Sequence, residues 1–269
     1  MTTKLDDSGV MFADGSVLER IPRSYLAGCT MSTAGSSATM SIAAGQWADS
    51  TNAVVAPLSA IAKTTSAWAV GTGTGGLDTG AIANSTWYHF YAIRRPDTGV
   101  TDVVFSTSAS APTLPANYTQ FRRIGSGYIN GSAQWTSFVQ NGDVFQWNIL
   151  VPDISANNPG TAAVLRSLSV PLGVSVIANI QLVIQNPGSA VYAKAYLTDP
   201  AIADIAPSSG LMDSPEAINF AGGVRNGGVR LNVRTNTSRQ IRSRLSDSDA
   251  SVTLIINTLG WTDDRGRNA

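Results

Sequence analysis

Residues 85–108 read STWYHFYAIRRPDTGVTDVVFSTS, and the same pattern continues as SAPTLPANYTQFRRIGSG at 110–127 and SAQWTSFVQNGDVFQWN at 132–148. Short runs of aromatic and β-branched residues alternate there with the turn sequences PDTG, NG and NGD. Aromatic and β-branched residues favour strands, and Asn-Gly pairs favour the tight turns of hairpins. This stretch therefore predicts consecutive antiparallel strands joined by short turns.

The run WYHFYAI at 87–93 shows how such a strand is placed. In a strand, successive side chains point to opposite faces. One face carries Trp87, His89, Tyr91 and Ile93, and the other carries Tyr88, Phe90 and Ala92. Because both faces are largely apolar, the run predicts a central strand covered on both sides, or a strand with one face in the core and one in a subunit contact.

The composition favours β-structure. Hydrophobic residues make up 43% of the 269 residues, enough for real cores, whereas charged residues make up only 13%, about half of the usual ~25%. Ser, Thr, Asn and Gly take their place, and these residues have low helix propensity. We predict an all-β fold with two antiparallel β-sandwich or jelly-roll-like domains, whose weakly charged surfaces are common where subunits pack.

The predicted domain organisation has three parts. Residues 1–24 form a short N-terminal attachment segment, 25–149 a first β-sandwich domain, and 150–269 a second. A linker is expected at 152–162, PDISANNPGTA, because of its Pro, Asn and Gly content. The predicted strands of the first domain are 25–33, 38–44, 52–57, 67–71, 87–95, 101–106, 118–125, 135–140 and 144–149.

Several further local features are predicted. The glycine-rich GTGTGG at 71–76 and the GQWADS sequence at 45–50 indicate loops. The run VLRS near 164–167 fits a helical turn or a strand, and we favour the strand. The long strand at 173–186 is expected to pair with 191–200 as a hairpin. No repeat of 20–50 residues is visible, which argues against a β-helix or a propeller.

Titratable residues are too sparse for most catalytic sites. Cys29 is the only cysteine and His89 the only histidine, which excludes an intrachain disulfide, a thiolate zinc cluster and a multi-histidine metal site. A Ser-His-Asp triad is possible only around His89, which we expect to be packed in its strand. Glu19 and Glu216 are the only glutamates. We therefore expect no enzyme, no catalytic or metal site and no cofactor.

Charge gives little attraction to nucleic acid or membrane, because the formal net charge is zero. Six arginines nevertheless lie between Arg225 and Arg244, and four aspartates lie within 247–264. The arginines fit outward strand positions beside carboxylates, or an anion or glycan site. The aspartates fit solvated turns or partners of those arginines, or a metal site. No apolar run approaches the ~20 residues that span a bilayer, so no membrane insertion is expected.

Aromatic residues beside turns are the candidates for contact with a glycan, because aromatic rings stack on sugars while Asn bonds hydroxyls. These are Tyr128, Asn130 and Trp135 around the INGSAQW turn and Trp47 in GQWADS; for each Trp, a core position is the alternative. The sequence GVMFADGSVLERIP at 9–22 predicts a two-stranded ribbon that is marginal alone. Its apolar Val10, Phe12 and Val17 are candidates for attachment to a particle.

The strands quoted above also carry a family resemblance. The sequences WYHFYAIRRPDTG, DVVFSTSASAPTLPANYT, FRRIGS and GSAQWTSF…GDVFQW resemble a domain common in tail fibre and other fibre-like proteins of tailed bacteriophages and prophages. The resemblance covers roughly residues 28–148. It implies a structural and adhesive virion protein with no catalytic motif to carry over. It also implies a homotrimer that contacts other tail, baseplate or head proteins and a host surface polysaccharide.

The resemblance leaves alternatives open. A trimeric tail fibre or receptor-binding subunit for host attachment is the main hypothesis, although the chain has no long shaft or heptad repeat. A head or tail decoration or adaptor protein with a purely structural role is the second. A glycan-cleaving tailspike enzyme is the third, disfavoured by the scarcity of Glu and His. Since MTTKLDDSG lacks a hydrophobic signal core, we expect assembly in the bacterial cytoplasm and a final location in the virion.

Overall fold

The computed structural model describes residues 4–6, 9–11, 17–18, 23–186, 193–213 and 225–267. In these ranges the chain contains no helix and consists of strands arranged in several sheets. The predicted all-β class is therefore confirmed. None of the residues in these ranges belongs to a helix long and apolar enough to span a membrane.

The chain divides into two compact units, one formed by residues up to Trp135 together with the C-terminal residues from Arg265, and one formed by 136–264. The strands of the first unit are β1 (Lys4–Asp6), β2 (Gly9–Met11), β3 (Val17–Leu18), β4 (Leu26–Gly28), β5 (Met31–Ser32), β6 (Thr39–Ile42), β7 (Gly45–Ala48), β8 (Val55–Leu58), β9 (Ile61–Ala67), β10 (Thr74–Leu77), β11 (Thr86–Arg94), β12 (Thr101–Ser106) and β13 (Gln120–Ile129). The strands of the second unit are β14 (Phe138–Asn141), β15 (Val144–Asn157), β16 (Val164–Ser167), β17 (Ile177–Asn186), β18 (Ala195–Thr198), β19 (Arg225–Arg234), β20 (Gln240–Leu245) and β21 (Thr253–Thr262).

The boundary between the units differs from the predicted boundary at 149/150. Strand β15 runs through that position, and it pairs with β21 on both sides of it, at Val144–Gln146 and again between Val151 and Asn157, with a register shift between the two parts. Most of the predicted linker is therefore strand. Pro152 favoured the linker interpretation, yet it lies within β15. Strand β14 pairs only with 144–147, so β15 is an edge strand at Pro152, and edge strands tolerate proline.

The first unit contains a seven-stranded sheet in the order β13-β11-β12-β10-β9-β6-β5 and a three-stranded sheet in the order β4-β7-β8. The larger sheet is mixed, since β10 runs parallel to both β9 and β12. The prediction of purely antiparallel sheets is wrong at this strand. Only residues 68–73 separate β9 from β10, and the turn residues there do not reveal that the next strand runs parallel to the one before it.

Strand β11 is buried along its length and covered on both faces, which confirms the first of the two alternatives for 87–93. On one face, Phe90 lies 5.1 Å from Phe105 and 5.1 Å from Trp135, measured between ring centroids. On the other face, Tyr91 packs in a buried cluster with Ile93, Val104 and Tyr118. The two aromatic layers make this strand the centre of the first unit.

Four local predictions in the first unit are wrong. The expected strand 25–33 is two strands in different sheets, because the chain takes positive φ at Gly28 (67°) and Cys29 (49°). The expected loop at 45–50 contains β7, and the expected loop at 71–76 contains most of β10, while 67–71 is largely the turn before it. Glycine permits β10 to approach its neighbour closely: a Cβ on Gly75 would lie 1.9 Å from the carbonyl oxygen of Ala67.

The second unit contains a five-stranded sheet in the order β14-β15-β21-β17-β19 and a three-stranded sheet in the order β16-β20-β18. Strand β16 confirms the favoured interpretation of VLRS. The predicted hairpin of 173–186 with 191–200 is wrong, because β17 pairs with β19 and β21, whereas β18 pairs with β20. All ten residues of β17 have partners in β19. The four-residue β18 offers fewer backbone partners.

The N-terminal segment forms a small sheet in the order β1-β2-β3. Val10 lies opposite Leu18 and Val17 lies opposite Met11 in this sheet. Phe12 lies outside the described residues. A role of this segment in particle attachment stays a prediction.

Candidate functional site

The turn after β13, residues 130–134, is a rigid surface feature of the first unit. The Asn130 side-chain oxygen accepts hydrogen bonds from the backbone N–H of Ser132 (2.8 Å) and of Gln134 (3.1 Å). The Asn84 amide reaches across and donates to the carbonyl oxygen of Gly131 at 2.9 Å. An Asn that bonds its own backbone two residues on is a usual way to hold a turn. Asn130 therefore has a structural task at this position.

Tyr128 lies beside this turn and is half-buried. It is the cross-strand partner of Trp87, and the two rings are tilted with their centroids 5.3 Å apart. Trp87 is only 5% exposed. A buried ring therefore packs against Tyr128, which is itself partly accessible to solvent. Together with the fixed turn, the Tyr128 ring is a small, preorganised contact surface, which we call the Tyr128 turn (residues 128–134).

The structure places the two predicted tryptophans in the core. Trp47 and Trp135 are both 0% exposed, and the Trp135 indole donates to the carbonyl oxygen of Ala38 at 3.2 Å. A fully enclosed indole offers no face to a sugar ring. Of the four predicted contact residues, the structure brings Tyr128 and Asn130 together at one surface, and it assigns Trp135 and Trp47 to packing.

His89 is buried and bonded within the sheet. Its Nδ1 lies 2.9 Å from the Ser126 hydroxyl, which also accepts from Arg123 at 3.2 Å. His89 is 1% exposed and Ser126 is 0% exposed. A catalytic serine must reach the reacting atom of a substrate, and the Ser126 side chain is fully buried. The cluster therefore fits a packing role.

Lys63 and Asp102 form a buried ion pair, with Nζ 2.7 Å from Oδ1 and side-chain exposures of 0% and 1%. The ammonium also donates to the carbonyl oxygens of Ala69 (2.7 Å) and Gly71 (3.0 Å). The second Asp102 oxygen accepts from the Gly71 N–H at 2.8 Å. Burial lowers the pKa of Lys63, and Asp102 opposes that shift. Every group is satisfied within the fold, so the pair acts as a cross-link between β9, β12 and the turn between β9 and β10.

Three residues of the arginine-rich strands contact the loop at 199–205. Arg244 pairs with Asp204 at 2.6 Å, and Arg234 lies 3.9 Å from Asp199. Arg242 donates to two carbonyl oxygens of the 199–205 loop. Arg234, Arg242 and Arg244 thus tie β19 and β20 to this loop. Within the described ranges, no group of three or more His, Cys, Asp or Glu side chains is placed to hold a metal ion.

A further surface was missed by the sequence interpretation. A shallow depression of about 210 Å³ lies on the five-stranded sheet of the second unit, and its polar lining consists of Gln146, Asn179, Arg230 and Asn232. Polar residues that alternate with apolar ones along a strand indicate only a solvated face. The strand order that brings these four residues together is not readable from local sequence.

Compared with models of known protein families, the chain matches none, and no curated protein sequence matches it.

Proposed function

We propose that this chain is a virion protein of a tailed bacteriophage or prophage, namely a trimeric tail fibre or receptor-binding subunit that serves host attachment. The observation that carries the proposal is the resemblance of residues 28–148 to fibre-like phage proteins. Three of the four resembling sequences supply β11, β12 and β13, which are adjacent strands of one sheet, and the fourth supplies β14 and the start of β15. The resemblance thus concerns a folded core and not scattered surface positions.

The Tyr128 turn supports an adhesive role. It combines a half-buried tyrosine with a turn held by three hydrogen bonds between side chain and backbone. Rigid aromatic residues beside polar groups are favourable contact residues, because little conformational entropy is lost on binding. Two clusters contain residue types found in catalytic sites, namely His89 with Ser126 and Lys63 with Asp102. Both clusters are buried.

Exposed apolar side chains in the second unit support assembly with other chains. Ile149 is 83% exposed and Leu150 is 44% exposed, and both lie in the irregular part of β15 where the register shifts against β21. On the neighbouring β14, Val139 is 58% exposed. Exposed apolar side chains grouped on adjacent strands are typical of protein contact surfaces. A homotrimer is the assembly proposed.

The mass of the purified protein in solution tests the assembly. We expect light scattering to give about three times the 28.1 kDa of one chain. A monomer at micromolar concentration would contradict the trimer. The charge substitution Ile149→Asp should shift the protein toward smaller species, and Val70→Asp, at another exposed valine (59%) in the first unit, is the control.

Adsorption tests the attachment role. Purified protein should compete with phage for host cells, and phage lacking it should not adsorb. Tyr128→Ala should weaken this competition, whereas Tyr25→Ala, at another exposed tyrosine of the same unit, should not. If phage particles contain the protein, but particles that lack it adsorb normally, the decoration or adaptor role would be indicated instead. Release of oligosaccharide from host envelopes by the purified protein would indicate a tailspike enzyme.

A further inference from the structure

Strand β17 gives the five-stranded sheet an amide-rich outer face. Its burial alternates strictly, so that Ala178, Ile180, Leu182 and Ile184 are buried while the residues between them are not. Those intervening residues include Asn179, Gln181 and Gln185. Amides on the neighbouring strands continue the face, since Asn232 is the partner of Asn179 in β19 and Asn257 is the partner of Gln181 in β21. These amides present uncharged hydrogen-bonding groups to solvent.

The depression lies at one end of this face. Asn179 and Asn232 are directly opposed across β17 and β19, which brings their Cβ atoms to within about 5 Å. Gln146 lies three strands from Asn232 in the order β15-β21-β17-β19, a span of about 14 Å at the usual strand spacing. Arg230 stands two residues before Asn232 on the same side of β19. These four polar residues, Gln146, Asn179, Arg230 and Asn232, are called the rim. The rim is wide enough for a short oligomer and not only for a single small ion.

The rim side chains differ from their neighbours in how they are bonded. Farther along the face, the Asn257 amide donates to Gln181 at 3.2 Å. Within the described part of the chain, Gln146, Asn179, Arg230 and Asn232 form neither a side-chain hydrogen bond nor an ion pair, and all four have access to solvent. Their donors and acceptors thus converge on the depression without being used by the fold. The apolar lining residues with access to solvent are Val144, Leu231 and Leu259.

We propose that this depression binds a neutral oligosaccharide; the biological meaning of this site rests on the proposed attachment role. Sugar hydroxyls both donate and accept, and a primary amide matches them with two donors and one acceptor. Arg230 adds a forked donor. The lining contains no carboxylate and one cation, so it offers too little positive charge for a polyanion, whose binding requires several basic groups.

Calorimetric titration of the whole purified protein tests this site. The probes are neutral oligosaccharides of three to six rings made of glucose, mannose, galactose or N-acetylated hexosamines, with polygalacturonate fragments as the acidic comparison. At least one neutral probe should bind more tightly than the acidic fragments. Asn179→Ala and Asn232→Ala should each weaken its binding about threefold to tenfold, as expected for one lost hydrogen bond.

Gln185→Ala is the matched control, because it removes the same kind of side chain from the same face of β17. It lies about 20 Å from Asn179 at the usual rise per residue and does not line the depression. This control should leave the affinity unchanged. Equal losses in the control and the rim variants, tighter binding of the acidic fragments, or binding of no neutral probe would each overturn the proposal.

Failure of this site and failure of the attachment role are distinguishable. If the protein is found in the particle and blocks adsorption but no neutral probe binds, the oligosaccharide site is wrong and the attachment role stands. If rim variants weaken saccharide binding while the protein is absent from purified particles, the site stands and the virion role is wrong.

Discussion

Removing the charge of Asp102 should strongly destabilise the first unit. In Asp102→Asn, shape is kept but the Lys63 ammonium stays buried without its anion. Breaking a buried ion pair from one side costs about 3–5 kcal/mol. We expect the lower end, about 3 kcal/mol, because Lys63 also donates to Ala69, Gly71 and Thr74. With a urea dependence of about 1–3 kcal/mol/M, the unfolding midpoint of this unit should fall by roughly 1–3 M.

The measurement is equilibrium unfolding in urea at pH 7, followed by tryptophan fluorescence. Trp68 is a suitable reporter because Lys63 Nζ lies 5.5 Å from the centre of its ring. The double variant Lys63→Met/Asp102→Asn should recover part of the loss, since it leaves no unpaired buried charge. The Ala69 and Gly71 carbonyl oxygens keep the Thr74 hydroxyl as a donor in that variant.

The control is an ion pair of the same length at the surface. Arg95 and Asp97 also approach to 2.7 Å, but their side chains are 31% and 52% exposed. Exposed pairs contribute little because water already solvates both charges, so Asp97→Asn should leave the midpoint indistinguishable from wild type. If Asp102→Asn shifted the midpoint no more than Asp97→Asn, burial of the charge would not be the source of the stability.

Three further outcomes are expected. Burial alone would raise the pKa of Asp49, but hydrogen bonds from the Thr51 hydroxyl and nearby backbone N–H groups lower it below 3.8; this stabilisation is present above pH 3.8 and lost as pH falls through the folded-state pKa. The urea midpoint of Asp49→Asn should therefore be lower than wild type at pH 7, with the gap closing toward pH 2, and a constant gap would contradict this. Cys29 is 0% exposed and burial raises its pKa to about 11 against the opposing effect of Arg265, so a thiol reagent at pH 8 should label it only in denaturant. Trp135→Ala should lower the free energy of unfolding by about 3–5 kcal/mol, as measured by urea titration. A loss as small as that of a substitution at an exposed position would show that this ring is not in the core.

Sequence reasoning succeeded where local signals and tertiary structure agree. Strands β11 and β12 were predicted to within a residue or two, because alternating apolar residues and the PDTG turn specify both the strands and their antiparallel pairing. The strand interpretation of VLRS was also correct, because the side chains of that run alternate between two faces.

It failed where pairing partners are distant in sequence. The parallel pairing of β10 with β12 and the pairing of β17 with β19 both join segments that no short turn connects. The seven-residue β9 was missed because its Ser, Thr and Lys content hides a strand whose one charge, Lys63, is neutralised by Asp102. A buried charge with a distant partner leaves no local pattern.

The candidate site shows the same limit. The Asn-Gly turn and its neighbour Tyr128 were visible in the sequence, because turn residues lie where a strand ends. Exposure was not visible: Trp135 and Tyr128 flank the same turn, yet one is 0% exposed and the other reaches solvent. The depression at Asn179 and Asn232 arises only from the strand order of the second unit.

The most direct test of the proposed virion role is electron microscopy of purified phage particles carrying a label on this chain. The proposal predicts label on a threefold-symmetric fibre at the tail, together with inhibition of adsorption by antibodies against the protein. Label confined to the head, with normal adsorption, would contradict host attachment. Particles without any label would contradict the virion role itself.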